Sequence, residues 1–368
     1  MSRFVQLHVL TSYPPSNLNR DDTGRPKTAL LGDATRLRVS SQSQKRAWRT
    51  SEVFEVALAG SLGTRTKRLG RDVYAQFVAG GVAEKPAREW ARLIAGQFGK
   101  VKPEAKAAKA KTDDDKAEAA GKVDALADFD IEQLAHFSPE ELDAVKALVT
   151  ALVARKEPPT ADELRLLGRP RRAVDIAMFG RMLADSPEFN VEAAVQVAHA
   201  VTVHRAAVED DYFSAVDDLN RTDSGAGHIG ERGYGAGLYY LYLAIDRELL
   251  ARNLGGDEAL VRRALKALVE AVTKVSPTGM QASFASRAYA GYALAETGDQ
   301  QPRSLVQAFL KPVKPQDGES VFDNAVAALR TRRDNFDAVY GACADARAEF
   351  NVETAEGSLA ALADFVAG

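Results

Sequence analysis

Ser40, Ser41, Gln42 and Ser43 stand directly ahead of Lys45, Arg46 and Arg49 in the segment RLRVSSQSQKRAWR, residues 36–49. Residues of these types hold anions. Short polar side chains mark a helix start, where free backbone N–H groups and the helix dipole together form an anion site. Lys45 and Arg49 lie one turn apart and extend that site along one face, and Arg46 flanks it. Serine, glutamine and lysine in concert grip a phosphodiester through its oxygens without reading a base. Arg20 and Lys27, in the preceding loop, are placed to close over the same strand. A capped surface helix explains the serines alone. It does not explain three basic residues in the helix's first two turns, where the dipole disfavours cations. An anionic ligand offsets that repulsion.

The charge distribution points the same way. Net charge over 368 residues is −3, which by itself argues against a nucleic-acid partner. Residues 1–50, however, carry nine Lys/Arg against three acids, a balance of +6 that leaves −9 for the rest. A basic segment on an acidic protein is an electrostatic footprint, because phosphate affinity follows local charge density. The remaining composition is that of a soluble protein in a reducing cytoplasm. No apolar run reaches membrane-spanning length, and MSRFVQLHVLTSYPPSNLNRDD does not read as a signal peptide. The one cysteine, Cys343, forms no internal disulfide and builds no zinc site without histidine and carboxylate partners. No metal site and no cofactor are expected.

Periodicity supplies the elements that must position these residues. Residues 4–10 alternate as a strand, and 11–33 read as loop, with Pro14-Pro15 and Arg25-Pro26 as breakers. Thr35–Val39 reads as a strand with Arg36 and Arg38 on one face. A helix of about sixteen residues follows. Residues 60–168 are mostly helical with weak core signals. Within them 100–122, nearly all Ala, Lys, Asp and Glu, read as a disordered or solvated insertion. Residues 171–182 read as a strand, 192–204 as a strand, 205–237 as a glycine-rich extended arm, and 238–249 as a strong strand. A helix over 257–275, a strand over 282–295 and helix over 318–350 are expected after it. This order resembles a split βαβ, or ferredoxin-like, unit in the α+β class.

The blocks HVLTSYPPSNLNRDD, RVSSQSQKRAWR, VDIAMFGRM and YFSAVDDL, in that order and spacing, resemble the backbone subunit of the type I-E CRISPR Cascade complex, the CasC family. The resemblance runs over nearly the whole chain. It implies an RNA-recognition-like palm (1–59, 170–204 and 238–368), a helical fingers insertion (60–169) and a projecting thumb hairpin (205–237). It implies a non-catalytic protein whose copies stack head to tail along a CRISPR RNA, with other Cascade subunits as partners and target DNA reached through the guide. Phosphate contacts fall on Arg20, Lys27, Ser40, Gln42, Lys45 and Arg49. Met182 aligns with a position that packs against a base; read without the resemblance, it is a core residue. Tyr212, Phe213 and Ser214 match an aromatic-aromatic-hydroxyl wedge at a kink in the RNA, and Ile229 its aliphatic partner. Such wedges unstack bases at a cost of a few kcal/mol. The insertion 100–122 and a tyrosine at 212 in place of a larger indole depart from the family pattern.

Two other classes stand beside this reading. One is an RNA nuclease on the same fold, with Asp217 and Asp218 as its carboxylates. Adjacent carboxylates on an extended chain point to opposite sides, which makes a poor shared metal site. His8, His136, His199, His204 and His228 are scattered and read as surface or buried structural histidines. The other class is a protein–protein scaffold that touches no RNA.

Overall fold

The computed structural model describes residues 2–103, 124, 126–167, 172–215, 228–315 and 318–368. Most of the proposed insertion, and both Asp217 and Asp218, lie outside the described residues. The chain divides into two compact units. One comprises Met1–Leu58, Val195–Ala251 and Asp257–Gly368; the other comprises Ala59–Ala194 and Arg252–Gly256.

The first unit is built on a nine-stranded sheet. Its elements are β1 (Phe4–Ser16), β2 (Thr28–Leu31), β3 (Ala34–Val39), α1 (Ser41–Arg49), α2 (Glu52–Ala57), β4 (Val195–Val197), β5 (Ala200–Thr202), β6 (Glu209–Ala215), β7 (His228–Asp246), α3 (Glu258–Lys274), β8 (Tyr292–Gly298), α4 (Val321–Tyr340), β9 (Ala346–Asn351) and α5 (Leu359–Ala367). The order is β9-β8-β1-β7-β5-β3-β2, with β4 and β6 also pairing β7, and the class is mixed α+β with antiparallel pairing. Strand β1 is central and buried on both faces. Alternation sends Thr11 and Tyr13 toward Trp48 of α1 and Val272 of α3. It sends Leu10 into a core with Tyr240, Tyr292, Phe309 and Leu329, each such side chain contributing about 1.5–3 kcal/mol by burial.

Several expectations need correction. Strand β1 runs on through Pro14 and Pro15, because a register shift between Tyr13 and Ser16 removes the need for their missing N–H groups. The expected sixteen-residue helix is two helices. Ser51 accepts from Phe54 N–H at 3.3 Å and donates to Trp48 O at 2.6 Å, capping α2 just as α1 ends. Residues 192–204 form two three-residue strands rather than one. Residues 318–350 are helical only to Tyr340; Gly341, at φ +83°, ends α4, and the chain returns as edge strand β9. Arg36 does not share Arg38's surface: it is wholly buried and donates to Thr202 O and Phe309 O at 3.1 and 2.8 Å.

The second unit has a stronger core than its composition suggests. Helices at Leu69–Ala79, Glu84–Gly96 and Pro139–Arg155 close over Phe77, Trp90, Phe98, Phe129 and Phe137, with Phe77 edge-on to Trp90 at 5.6 Å. The expected strand over 171–182 is a short helix, Val174–Phe179. Buried Asp175 holds it by accepting from Gly63 N–H at 2.8 Å and pairing with His136 at 2.9 Å, a tertiary anchor that overrides the β-like alternation. Arg181 is buried against Glu141, its Nη1 2.7 and 2.8 Å from the two carboxylate oxygens.

Candidate nucleic-acid interface

Helix α1 sorts its residues by face. Ser41, Gln44, Ala47 and Trp48 are buried, whereas Gln42 and Arg46 are exposed and Lys45 and Arg49 half-buried. Positions 42, 45, 46 and 49 follow the i, i+3, i+4, i+7 spacing of one helix face, so an amide and three cations form one stripe. Burial pushes the Lys45 ammonium below its ordinary pKa, a desolvation cost that a bound anion offsets. The helix dipole opposes only part of this charge. Because α1 has nine residues, Arg46 and Arg49 fall in its last turn, where the dipole favours cations; Lys45 remains nearer the middle.

Ser40 is the N-cap. Its Oγ accepts the Ser43 N–H at 3.3 Å, so the hydroxyl is committed to the helix start and has only its own O–H to offer a ligand. The first-turn N–H groups of Ser41 and Gln42 have no partner within the helix by the geometry of a helix end.

Two asparagines that composition did not single out hold the loop before β2. Asn19 Oδ1 accepts the Ser40 N–H at 2.9 Å, and Asn19 O accepts the Lys27 N–H at 2.8 Å. Buried Asn17 donates through Nδ2 to Gly24 O and Gly233 O, both at 2.9 Å, joining the loop to β7. Asp21 closes the turn by accepting from Thr23 N, Thr23 Oγ1 and Arg25 N, and the Thr23 hydroxyl leads in holding its carboxyl below the ordinary pKa. Exposed Arg20 consequently stands between two open clefts. One, of about 500 Å³, is lined by Asp21, Asp22, Ser43 and Gly279. The other, of about 360 Å³, is lined by Arg25, Glu231, Arg232 and Met280. Together they make a track from the start of α1, past Arg20, to the β6–β7 hairpin. Three basic residues of the N-terminal segment leave the footprint: Arg36 is buried, Arg3 pairs with Asp246 at 2.7 Å, and Arg25 pairs with Asp210 at 2.9 Å.

The hairpin separates the expected wedge residues. Register pairs Ser214 with Ile229, Phe213 with Gly230, and Tyr212 with Glu231. Alternation therefore puts Tyr212, Ser214 and Ile229 on one face, with Tyr212 and Ile229 67% and 56% exposed, and Phe213 on the other. The Phe213 ring lies across Gly230, where a Cβ would stand 2.3 Å from it, and Arg232 stacks on it at 4.4 Å. A contiguous Tyr-Phe-Ser motif is not one surface in a pleated strand. Met182 belongs to the second unit and is 78% exposed, which rules out core filling; its neighbour Arg181 carries the burial. Among the described residues, no three His, Cys, Asp or Glu side chains gather into a group able to hold a metal. No helix among them is long and apolar enough to cross a membrane.

A family model described as CT1975-like protein matches residues 5–365. Two solved chains are similar over nearly their whole length. One, from a structure titled CRISPR RNA-guided surveillance complex, pre-nicking, has 29% identity and a TM-score of 0.79, covering 98% of this chain and 95% of that one. The other, from a structure titled CRISPR RNA-guided surveillance complex, has 26% identity and a TM-score of 0.70, covering 98% and 94%. No curated protein matches.

Proposed function

The chain belongs to the CT1975-like protein family, and from this we propose that it is a non-catalytic, CRISPR RNA-binding backbone subunit of a Cascade-type surveillance complex, of the type I-E CasC kind. The observation that carries the proposal is the stripe of Gln42, Lys45, Arg46 and Arg49 continuing past the α1 N-terminus to Arg20. Its donors suit phosphate oxygens and none is arranged to read a base edge. The protein then holds a guide of any sequence, and base pairing supplies specificity.

The rest of the molecule fits the same role. Strands β8-β1-β7-β4, with α1 and α2 after β1 and α3 after β7, support reading this unit as a ferredoxin-like palm. The β6–β7 hairpin serves as thumb, presenting Tyr212 and Ile229 as a wedge between bases. The second unit serves as fingers, with Met182 against a base; a thioether suits a sequence-tolerant contact. Copies stack head to tail, a heterologous contact that extends along the RNA.

The test is a salt titration of RNA binding. Wild-type binding is tight, sequence-tolerant and steeply salt-dependent, and Lys45→Ala with Arg49→Ala lowers both affinity and slope. Unchanged binding in the double variant removes the site. Bound RNA stays intact in magnesium; cleavage that disappears in Asp217→Ala establishes the nuclease instead.

A further inference from the structure

Three neighbouring strands bring three basic side chains together beside the lip of α1. Lys27 stands one residue before β2, Arg38 near the end of β3, and His199 one residue before β5. The ladder places them side by side: Arg38 N–H donates to Lys27 O at 2.8 Å, and Val39 pairs with Ala200, the residue after His199. Arg38 Nη1 lies 2.9 Å from His199 Nδ1. A guanidinium only donates, so Nδ1 is the acceptor and the neutral ring carries its proton on Nε2. His199 is exposed, and Lys27 and Arg38 are half-buried. Partial burial of the ring, then the charges of Arg38 and Lys27, hold this imidazole below its ordinary pKa. Like charges on adjacent strands repel, so a cluster of this kind is incomplete without an anion.

We infer that Lys27, Arg38 and His199 form a proton-linked seat for one phosphodiester of the bound RNA, with Arg38 and His199 as contacts additional to the α1 stripe. This rests on the RNA-binding role proposed above. The linkage follows from the hydrogen bond. An imidazolium donates from both nitrogens and cannot accept from Arg38, so protonation opens the Arg38–His199 pair. Both groups are then free to donate to phosphate oxygens, in charge-assisted bonds. The phosphate charge in turn raises the His199 pKa, so binding takes up a proton. Affinity therefore rises as pH falls from above the bound-state pKa toward the depressed free-state pKa.

The experiment measures affinity of the full chain for a fluorescent oligouridylate, whose bases do not titrate in this range, at about pH 8 and about pH 6 and fixed ionic strength. Wild-type protein binds roughly fivefold tighter at the lower pH, while His199→Gln is flat between the two. A proton NMR titration provides a second reading. The His199 ring resonance is the one of five histidine signals missing from the variant, and its midpoint moves up when the oligouridylate is added. A flat wild-type profile, equal tightening in His199→Gln, or an unmoved midpoint overturns the seat while leaving salt-dependent RNA binding intact. Absence of binding by any form at either pH defeats the proposed function, and the seat with it.

Discussion

Asn19 fixes Ser40: its Oδ1 accepts the Ser40 backbone N–H at 2.9 Å, while its own carbonyl accepts from Lys27 at 2.8 Å. One side chain thereby sets the start of α1 against the loop that bears Arg20 and Lys27. Asn19→Ala removes the side-chain bond and keeps the backbone one. The loss is about 1 kcal/mol. It is expected to appear as a small fall in melting temperature together with weaker RNA binding, because the loop bearing Arg20 and Lys27 loses its tie to α1. Anisotropy binding and a thermal melt on the same preparation check this; a large fall in melting temperature with unchanged affinity contradicts it.

The two aromatics of the β6–β7 hairpin make opposite predictions. Tyr212 is exposed beside Ile229, whereas Phe213 covers Gly230 under Arg232. Tyr212→Ala leaves the hairpin stable and reduces base unstacking, read as lower fluorescence of a 2-aminopurine placed at the kink. Phe213→Ala removes a cation–π stack worth about 0.5–1 kcal/mol and bares a glycine. Faster amide exchange across Glu209–Ala215 is expected, with the fluorescence signal largely kept. Equal effects of both variants on the fluorescence would mean the two rings share one role.

How far the sequence alone reached depends on whether local pattern or distant contact decides each residue. The alternation of Phe4–Leu10 and the amphipathic helix α3 are local, and the structure has them. The Val174–Phe179 helix escapes because Asp175 is bound by Gly63 and His136, far away in the chain. Arg36 escapes because its partners, Thr202 and Phe309, come from other parts of the sheet and its covering turn. At the candidate site the basic stripe is legible in the spacing of α1. The positioning role of Asn17 and Asn19 is not, since an asparagine in a Pro- and Gly-rich loop reads as turn chemistry and its bonds reach residues 233 and 40.

Lys45 and Arg49 share the stripe but differ in what they contribute to folding. Lys45 is half-buried with a depressed pKa, so its charge costs stability in the free protein. Arg49 sits in the last turn of α1, where its charge complements the dipole by about 0.3–1 kcal/mol. Lys45→Met keeps the aliphatic stem and is expected to raise the melting temperature slightly while weakening RNA binding. Arg49→Ala is expected to lower both. Parallel changes in the two variants, in either direction, would show that burial of Lys45 carries no cost.

The sheet contains a charge network that makes stability fall in acid. Buried His8 lies 2.9 Å from the Tyr240 hydroxyl through Nδ1 and 3.3 Å from Glu296 through Nε2. Tyr240 Oη accepts from Leu305 N–H at 3.1 Å, which leaves its own proton for His8 Nδ1 and fits a neutral ring donating from Nε2. Burial dominates in lowering the His8 pKa, with the nearby Glu296 charge only partly opposing it. For Glu296, burial favours the neutral acid, but His8, Arg303 and Arg347 together outweigh it and keep the carboxylate ionised. Arg303 Nη1 and Arg347 Nε each stand 2.7 Å from its oxygens. Both groups therefore have folded-state pKa values below their unfolded values, and for both the unfolded chain binds protons first. Stability is full above the ordinary His value of 6.5 and declines as pH falls below it; a second decline begins below the ordinary Glu value of 4.5. Each decline approaches about 1.4 kcal/mol per pH unit per proton. Denaturant melts across this range are expected to show both steps, with the upper one reduced in His8→Gln to what His199, also held below its ordinary pKa, contributes. Glu296→Gln leaves two arginines facing an uncharged amide, at a cost of about 3 kcal/mol at neutral pH. A flat profile between neutral pH and the lower step would mean that His8 protonates as readily folded as unfolded, which a ring sealed between Tyr240 and Glu296 cannot do.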